Sequence, residues 1–181
     1  MSPSESLAAK KRIMFIKGDD FNYLTYNILI TLDALKCHSH ERAFKDHHKL
    51  GFLIDLVSSP SLASMLTRKI RVHGSLSRRD LHSLSTAYSN GASRQHFVAR
   101  IVSSLTARRL IAVEKGEHDL DLNVWLNLTT IPPTFLASGL YKAERDNLKR
   151  LTLISKVLRT LTCRTFLERY YADHGVLVWH S

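Results

Sequence analysis

The sequence predicts a mainly α protein with a small β-hairpin: a winged helix-turn-helix core flanked by an N-terminal helix pair and C-terminal amphipathic helices. Three observations carry this reading. Two short capped helices follow one another between Ser77 and Leu105, the apolar period changes from helical to alternating beyond Leu110, and helical periodicity returns after Pro132-Pro133.

Residues 1–18, Ser-rich at the start and carrying Lys10-Lys11-Arg12, are expected to form a mobile N-terminal segment. An N-terminal helix pair follows over 19–57. Asp19-Asp20 can cap a helix from Phe21 to about Lys36, and Tyr23, Leu24, Asn27, Ile28 and Leu32 wind so far around it that burial on more than one side is expected. A polar link from Cys37 to Glu41 leads into a second helix ending near Leu56, with Phe44, Leu50, Phe52, Leu53 and Leu56 inward. The winged helix-turn-helix is assigned to 58–128. Ser59-Pro60 opens its first helix, because serine caps and proline suits the first helical position.

Ser77 and Asp80 make a capping-box-like pair for the next helix, over Leu81, Leu84 and Ala87, which Asn90-Gly91 should close. After a turn of three residues, Ser93 is expected to cap a helix whose Phe97, Val98, Ile101, Val102 and Leu105 form one buried stripe. That stripe leaves His96, Ala99, Arg100, Ser103 and Ala107 facing outward. Ile111 and Val113, a turn at Gly116-Glu117-His118, and Leu120, Leu122, Val124 and Leu126 then read as a two-stranded wing.

A C-terminal helical interaction region is expected over 129–181. Leu140 to Leu161 predicts the longest amphipathic helix of the chain, and Thr165 to Asp173 adds Phe166, Tyr170 and Tyr171. Val176 to Trp179 reads as a strand that completes the sheet or docks on a partner edge. Phe166, Tyr170, Tyr171 and Trp179 are the candidate protein-interface residues, since aromatic side chains are typical interface anchors.

The 181 residues, 44% hydrophobic, suffice for one or two small domains with a real core. The placement of the +10 formal charge matters more than its size. Ser64 to Leu110 holds nine Lys or Arg against Asp80, whereas Ile111 to Leu128 holds Lys115 against Glu114, Glu117, Asp119 and Asp121. The first segment is the electrostatic footprint of a phosphate-binding surface or of a site for an acidic partner; the acidic wing would repel DNA. Arg78, Arg79, Arg94, Gln95, His96 and Arg100 are the candidate DNA-binding residues, reaching from the two helices.

Other classes find little support. The two cysteines, Cys37 and Cys163, form no disulfide framework, the N-terminus begins no signal peptide, and no apolar run suits a membrane span, so a cytoplasmic location is expected. The seven glycines form no phosphate-cradling loop, and no serine sits in a nucleophile elbow. Cys37, His38, His40, Glu41, Asp46, His47 and His48 lack the paired spacing of a zinc site, so no metal, cofactor or catalytic residue is expected. Asp46-His47-His48 matches the letters of a phosphoesterase motif but reads as part of a helix.

Asn27 to Leu35, Lys49 to Leu56 with Ser59-Pro60, and Phe97 to Leu105 with Trp125-Leu126-Asn127 together carry a family resemblance. Over most of residues 20–160 the chain resembles the middle component of bacterial three-component ABC ATPase systems, the small subunit of Lamassu-type defence complexes. The resemblance implies a non-catalytic bridging subunit working with an SMC-like ABC ATPase and an effector, commonly a nuclease, against phage or plasmid DNA. In outline the chain also resembles the winged-helix accessory subunits of SMC complexes, which bridge larger partners and can touch double-stranded DNA. The alternative is a stand-alone winged-helix transcription regulator dimerising through Leu140 to Leu161. A small enzyme built on the Cys37 to His48 cluster is a third reading.

Overall fold

Helix α1, Phe21–Ala34, buries residues on every side, including Leu24, Asn27, Ile28, Ile30 and Leu32. It ends without glycine. Lys36 takes the left-handed conformation at φ 58°, and its N–H bonds Asp33 O while Cys37 N–H bonds Leu32 O, both at 2.9 Å, a Schellman closure. The computed structural model describes residues 21–71, 76–118 and 120–179, the side chains of 69–71 excepted. The N-terminal segment and the Asp19-Asp20 cap lie outside these residues.

The second helix starts later than its pattern suggests. Residues 43–48 are irregular apart from a bridge at Phe44, after a 3-10 turn at His40–Arg42, and α2 runs only over Lys49–Ser58. The reason is a β-type contact made at a distance in sequence: Phe44 exchanges backbone bonds with Val124 (2.8 and 3.0 Å), His47 N–H bonds Leu122 O (2.9 Å), and Leu126 N–H bonds Cys37 O (2.8 Å). This loop therefore occupies the edge of a strand, which satisfies backbone groups that a helix would otherwise pair internally.

Helix α3, Pro60–Arg71, follows α2 after Ser59 and buries Leu62, Ala63, Met65 and Leu66. Helix α4, Arg78–Ser93, is capped as expected, with Asp80 N–H bonding Ser77 Oγ at 3.1 Å. It does not stop at Asn90-Gly91. A Cβ on Gly91 would lie 2.7 Å from Phe52 Cα, so this glycine serves a close crossing of α2 and α4 rather than a helix end. Only Arg94 separates α4 from α5, Gln95–Ala107, in place of the expected three-residue turn. Ser93 caps nothing there; its hydroxyl donates to Ser89 O at 2.9 Å. Val98, Ile101, Val102 and Leu105 are buried, with Phe97 partly so, and the expected outward residues of α5 are all exposed.

Strands β1, Ile111–Lys115, and β2, Leu122–Leu126, pair antiparallel with Val113 opposite Val124. After a short α6, Pro133–Leu136, the next helix is α7, Lys142–Ile154. At 13 residues it is shorter than the 16 of α4, because Ser155 turns extended (φ −146°) and the chain continues as a 3-10 turn at Leu158–Thr160. Helix α8, Cys163–Tyr170, is capped by Thr162, whose Oγ1 accepts from Thr165 N–H at 3.2 Å. Val176 to Trp179 forms no strand and does not complete the sheet.

The described residues are thus mainly helical with one two-stranded antiparallel sheet. One contiguous cluster of buried side chains runs from Tyr23 through Leu84, Ile101 and Val124 to Tyr171 and Val176, so the divisions at 57/58 and 128/129 mark no break in the core. Among the described residues no single helix is long and apolar enough to cross a membrane.

Candidate functional site

The basic surface lies on the outer faces of α4 and α5. Arg78 and Arg79 open α4, His96 and Arg100 stand on α5, and Arg108 and Arg109 follow its last turn; all are exposed. None of the arginines pairs with an acid among the described residues. They are spread out, since a helix of 16 residues is about 24 Å long.

Two expected DNA contacts are withdrawn from this surface. Arg94 is buried, and its Nη1 donates to Asp55 Oδ1 at 2.7 Å; Asn90 Nδ2 donates to the other oxygen of Asp55 at 2.8 Å. Gln95 turns inward, its Nε2 donating to His48 O (3.1 Å) and Gly91 O (3.0 Å). Both side chains brace the junction of α4 and α5 against α2, work that a guanidinium and a carboxamide do well because each bridges several acceptors.

Three acidic side chains of the hairpin find partners within the chain. His40 Nε2 lies 2.7 Å from Glu114 Oε2, Lys45 Nζ 3.7 Å from Glu117 Oε1, and His48 Nδ1 3.6 Å from Asp121 Oδ1. All three basic partners come from the loop between α1 and α2.

Among the described residues, the histidine-rich loop is also the one place where metal-ligating groups gather. His38 leaves the group to meet Asp33 at 3.1 Å, but ligand atoms of Asp46, His47 and His48 lie within 4.8 Å of one another, in a loop rather than in a helix as expected. Several of their polar atoms are engaged in hydrogen bonds. Asp46 Oδ1 accepts from His48 N–H and Nδ1 (both 3.2 Å), Oδ2 accepts from Cys163 N–H at 2.6 Å, and His47 Nδ1 accepts from Leu122 N–H at 3.2 Å. A neutral imidazole that accepts at Nδ1 carries its proton on Nε2, so His47 cannot ligate through Nε2 without breaking that bond. In these bonds the residues form a clamp joining the loop to β2 and to the start of α8.

The electrostatics follow this clamp. Burial works to raise the Asp46 pKa, but its bonds from His48 and Cys163 outweigh it and hold the carboxyl below its ordinary value. The same bond to Asp46 raises His48, against burial. His47 is pushed down to about 4 by burial and by the neighbouring His48 charge. Lys49, which opens one of the segments that carry the resemblance but is not among the candidate site residues, is fully buried with Nζ donating to the carbonyls of Leu158, Arg159 and Leu161 and lying 4.3 Å from the Phe44 ring centre. Burial lowers its pKa to about 7.

The candidate interface aromatics divide. Phe166, Tyr170 and Tyr171 are fully buried, with Tyr170 Oη donating to Leu151 O (2.9 Å) and Tyr171 Oη to Phe52 O (2.7 Å). They are core anchors, not a docking surface, because α8 folds back onto α2 and brings its apolar face with it. Trp179 is 77% exposed. It borders a cleft of about 1350 Å³ between α4, α8, the hairpin turn and the C-terminal tail, lined by Ser85, Tyr88, Gln95, Leu120 and Leu177 among others. The sequence carried one signal of this cleft, the terminal apolar run Val176-Leu177-Val178-Trp179; the rest is assembled from four separate segments.

The chain matches no known family model, no curated protein and no solved structure.

Proposed function

We propose that the protein is a non-catalytic accessory subunit that bridges an SMC-like ABC ATPase and an effector of the nuclease type its resemblance implies, and that contacts double-stranded DNA through α4 and α5. The observation that carries this reading is the set of exposed guanidiniums, Arg78, Arg79, Arg100, Arg108 and Arg109, without acidic partners among the described residues. Unpaired arginines held on rigid helices keep their donors for phosphate oxygens. The pairing of Glu117 with Lys45 and of Asp121 with His48 supports the same reading, since it weakens the repulsion that an acidic hairpin would exert on DNA. In this reading α4, α5 and the hairpin form a winged-helix variant with a one-residue junction.

A transcription regulator dimerising through 140–161 is less well supported. Helix α7 spends Leu148 and Leu151 inside the core, and Asn147 Nδ2 donates to Val57 O at 2.8 Å, so its apolar stripe is occupied. The test is fluorescence anisotropy with a random-sequence duplex across a salt series. Changing Arg78, Arg79 and Arg100 together to Gln should flatten the slope of log K against log salt by up to ~3. An unchanged slope in a folded variant would move the basic face to an acidic protein partner.

A further inference from the structure

We infer that the cleft between α4, α8 and the C-terminal tail receives an uncharged, apolar peptide segment of a partner protein, which pairs with the tail backbone as an added strand. The inference rests on reading the chain as a binding subunit, and not on its contact with DNA.

The tail supplies the first observation. From Val176 to Trp179 burial alternates, with Val176 and Val178 turned toward the protein and Leu177 and Trp179 exposed, which is the period of a strand. Tyr88 Oη holds the end of this segment in place, accepting from Trp179 N–H at 2.8 Å and donating to Trp179 O at 3.3 Å. The N–H and C=O groups of Leu177 and Val178 have no hydrogen-bond partner among the described residues. A fixed segment of strand periodicity with open backbone groups is a template for strand addition.

The cleft supplies the second. Leu120, Leu177 and Trp179, 81%, 80% and 77% exposed, converge on it although they come from the hairpin turn and the tail. Its volume of about 1350 Å³ exceeds the roughly 300–1,000 Å³ of ordinary small-molecule sites and suits a longer occupant. Most of its lining side chains are apolar or neutral, and the charged ones, Asp46, Asp121 and Arg164, are held by partners of their own, His48 and Glu168, which favours an occupant without net charge.

The experiment is selection of a displayed random-peptide library on the full chain, followed by anisotropy with labelled synthetic copies of the enriched peptides. The enriched sequences should be apolar and uncharged, and should slow hydrogen exchange at the Leu177 and Val178 amides. Leu120→Glu and Leu177→Glu, at positions too exposed to unfold the chain, should each weaken binding about tenfold or more. The triple Gln variant of Arg78, Arg79 and Arg100 should bind the same peptides unchanged, so failure of DNA contact and failure of the cleft are read separately. No enrichment, charged peptides released by salt, unchanged exchange at the tail, or full affinity in Leu177→Glu would overturn the inference. Uptake of a fluorescent fatty acid in place of any peptide would overturn it too, assigning the cleft to lipid.

Discussion

His47 and Arg94 each look like surface residues in the sequence and are buried in the structure. A polar side chain is stable inside only where its partners are supplied, and the partners here come from far along the chain: Leu122 N–H for His47 and Asp55 for Arg94. His47 makes a pH prediction possible. Its folded pKa, about 4, lies below its unfolded value near 6.5, so the unfolded chain binds the extra proton between these values. Stability from this residue is complete above about pH 6.5 and is lost as pH falls through 4, by about 3 kcal/mol in all. Asn in its place keeps an acceptor for Leu122 N–H but does not titrate. Urea unfolding of His47→Asn at several pH values should therefore show a shallower loss of stability between pH 6.5 and 4 than the parent; parallel curves would show that His47 does not carry the effect.

At the scale of elements, the caps and stripes were largely legible and the ends were not. Ser77 and Ser59-Pro60 act locally, so their helices start where the residues say. The ends of α1 and α5 were harder to read because Lys36 and Arg109, not glycine, take the left-handed position. Gly91, which reads as a helix end, sits inside α4 against Phe52. Alanine in a helix interior normally gains about 1 kcal/mol over glycine. At Gly91 a Cβ would meet Phe52 Cδ1 at 2.4 Å, and overpacking of this kind costs about 1–3 kcal/mol. Gly91→Ala should thus lower the denaturation midpoint; a stabilised variant would show that α2 and α4 can separate at no cost.

For the whole molecule, the C-terminal aromatics decide how the chain closes. Tyr170 and Phe166 stack at 4.7 Å between centroids, and Phe52, Tyr88 and Tyr171 form a second group with centroids 5.5–6.3 Å apart, joining α2, α4 and the tail. Tyr170→Ala removes a buried ring and its bond to Leu151 O, and should cost about 3–5 kcal/mol in chemical unfolding. Trp179→Ala, at an exposed position, should stay within about 0.5 kcal/mol of the parent. Equal effects of the two would mean that the tail is as much part of the core as α8.

The sequence by itself determined the helical character, the hairpin over 111–126, the inward stripe of α5 and the basic outer faces, because period, cap and charge are properties of neighbouring residues. Only the tertiary structure decided which polar groups are free. It turned Arg94 and Gln95 inward, paired the acidic hairpin with His40, Lys45 and His48, placed Phe166, Tyr170 and Tyr171 in the core, and opened the cleft beside Trp179. Each of those outcomes depends on a contact between segments separated by tens of residues, and a burial or an ion pair exists only once both partners have been brought together.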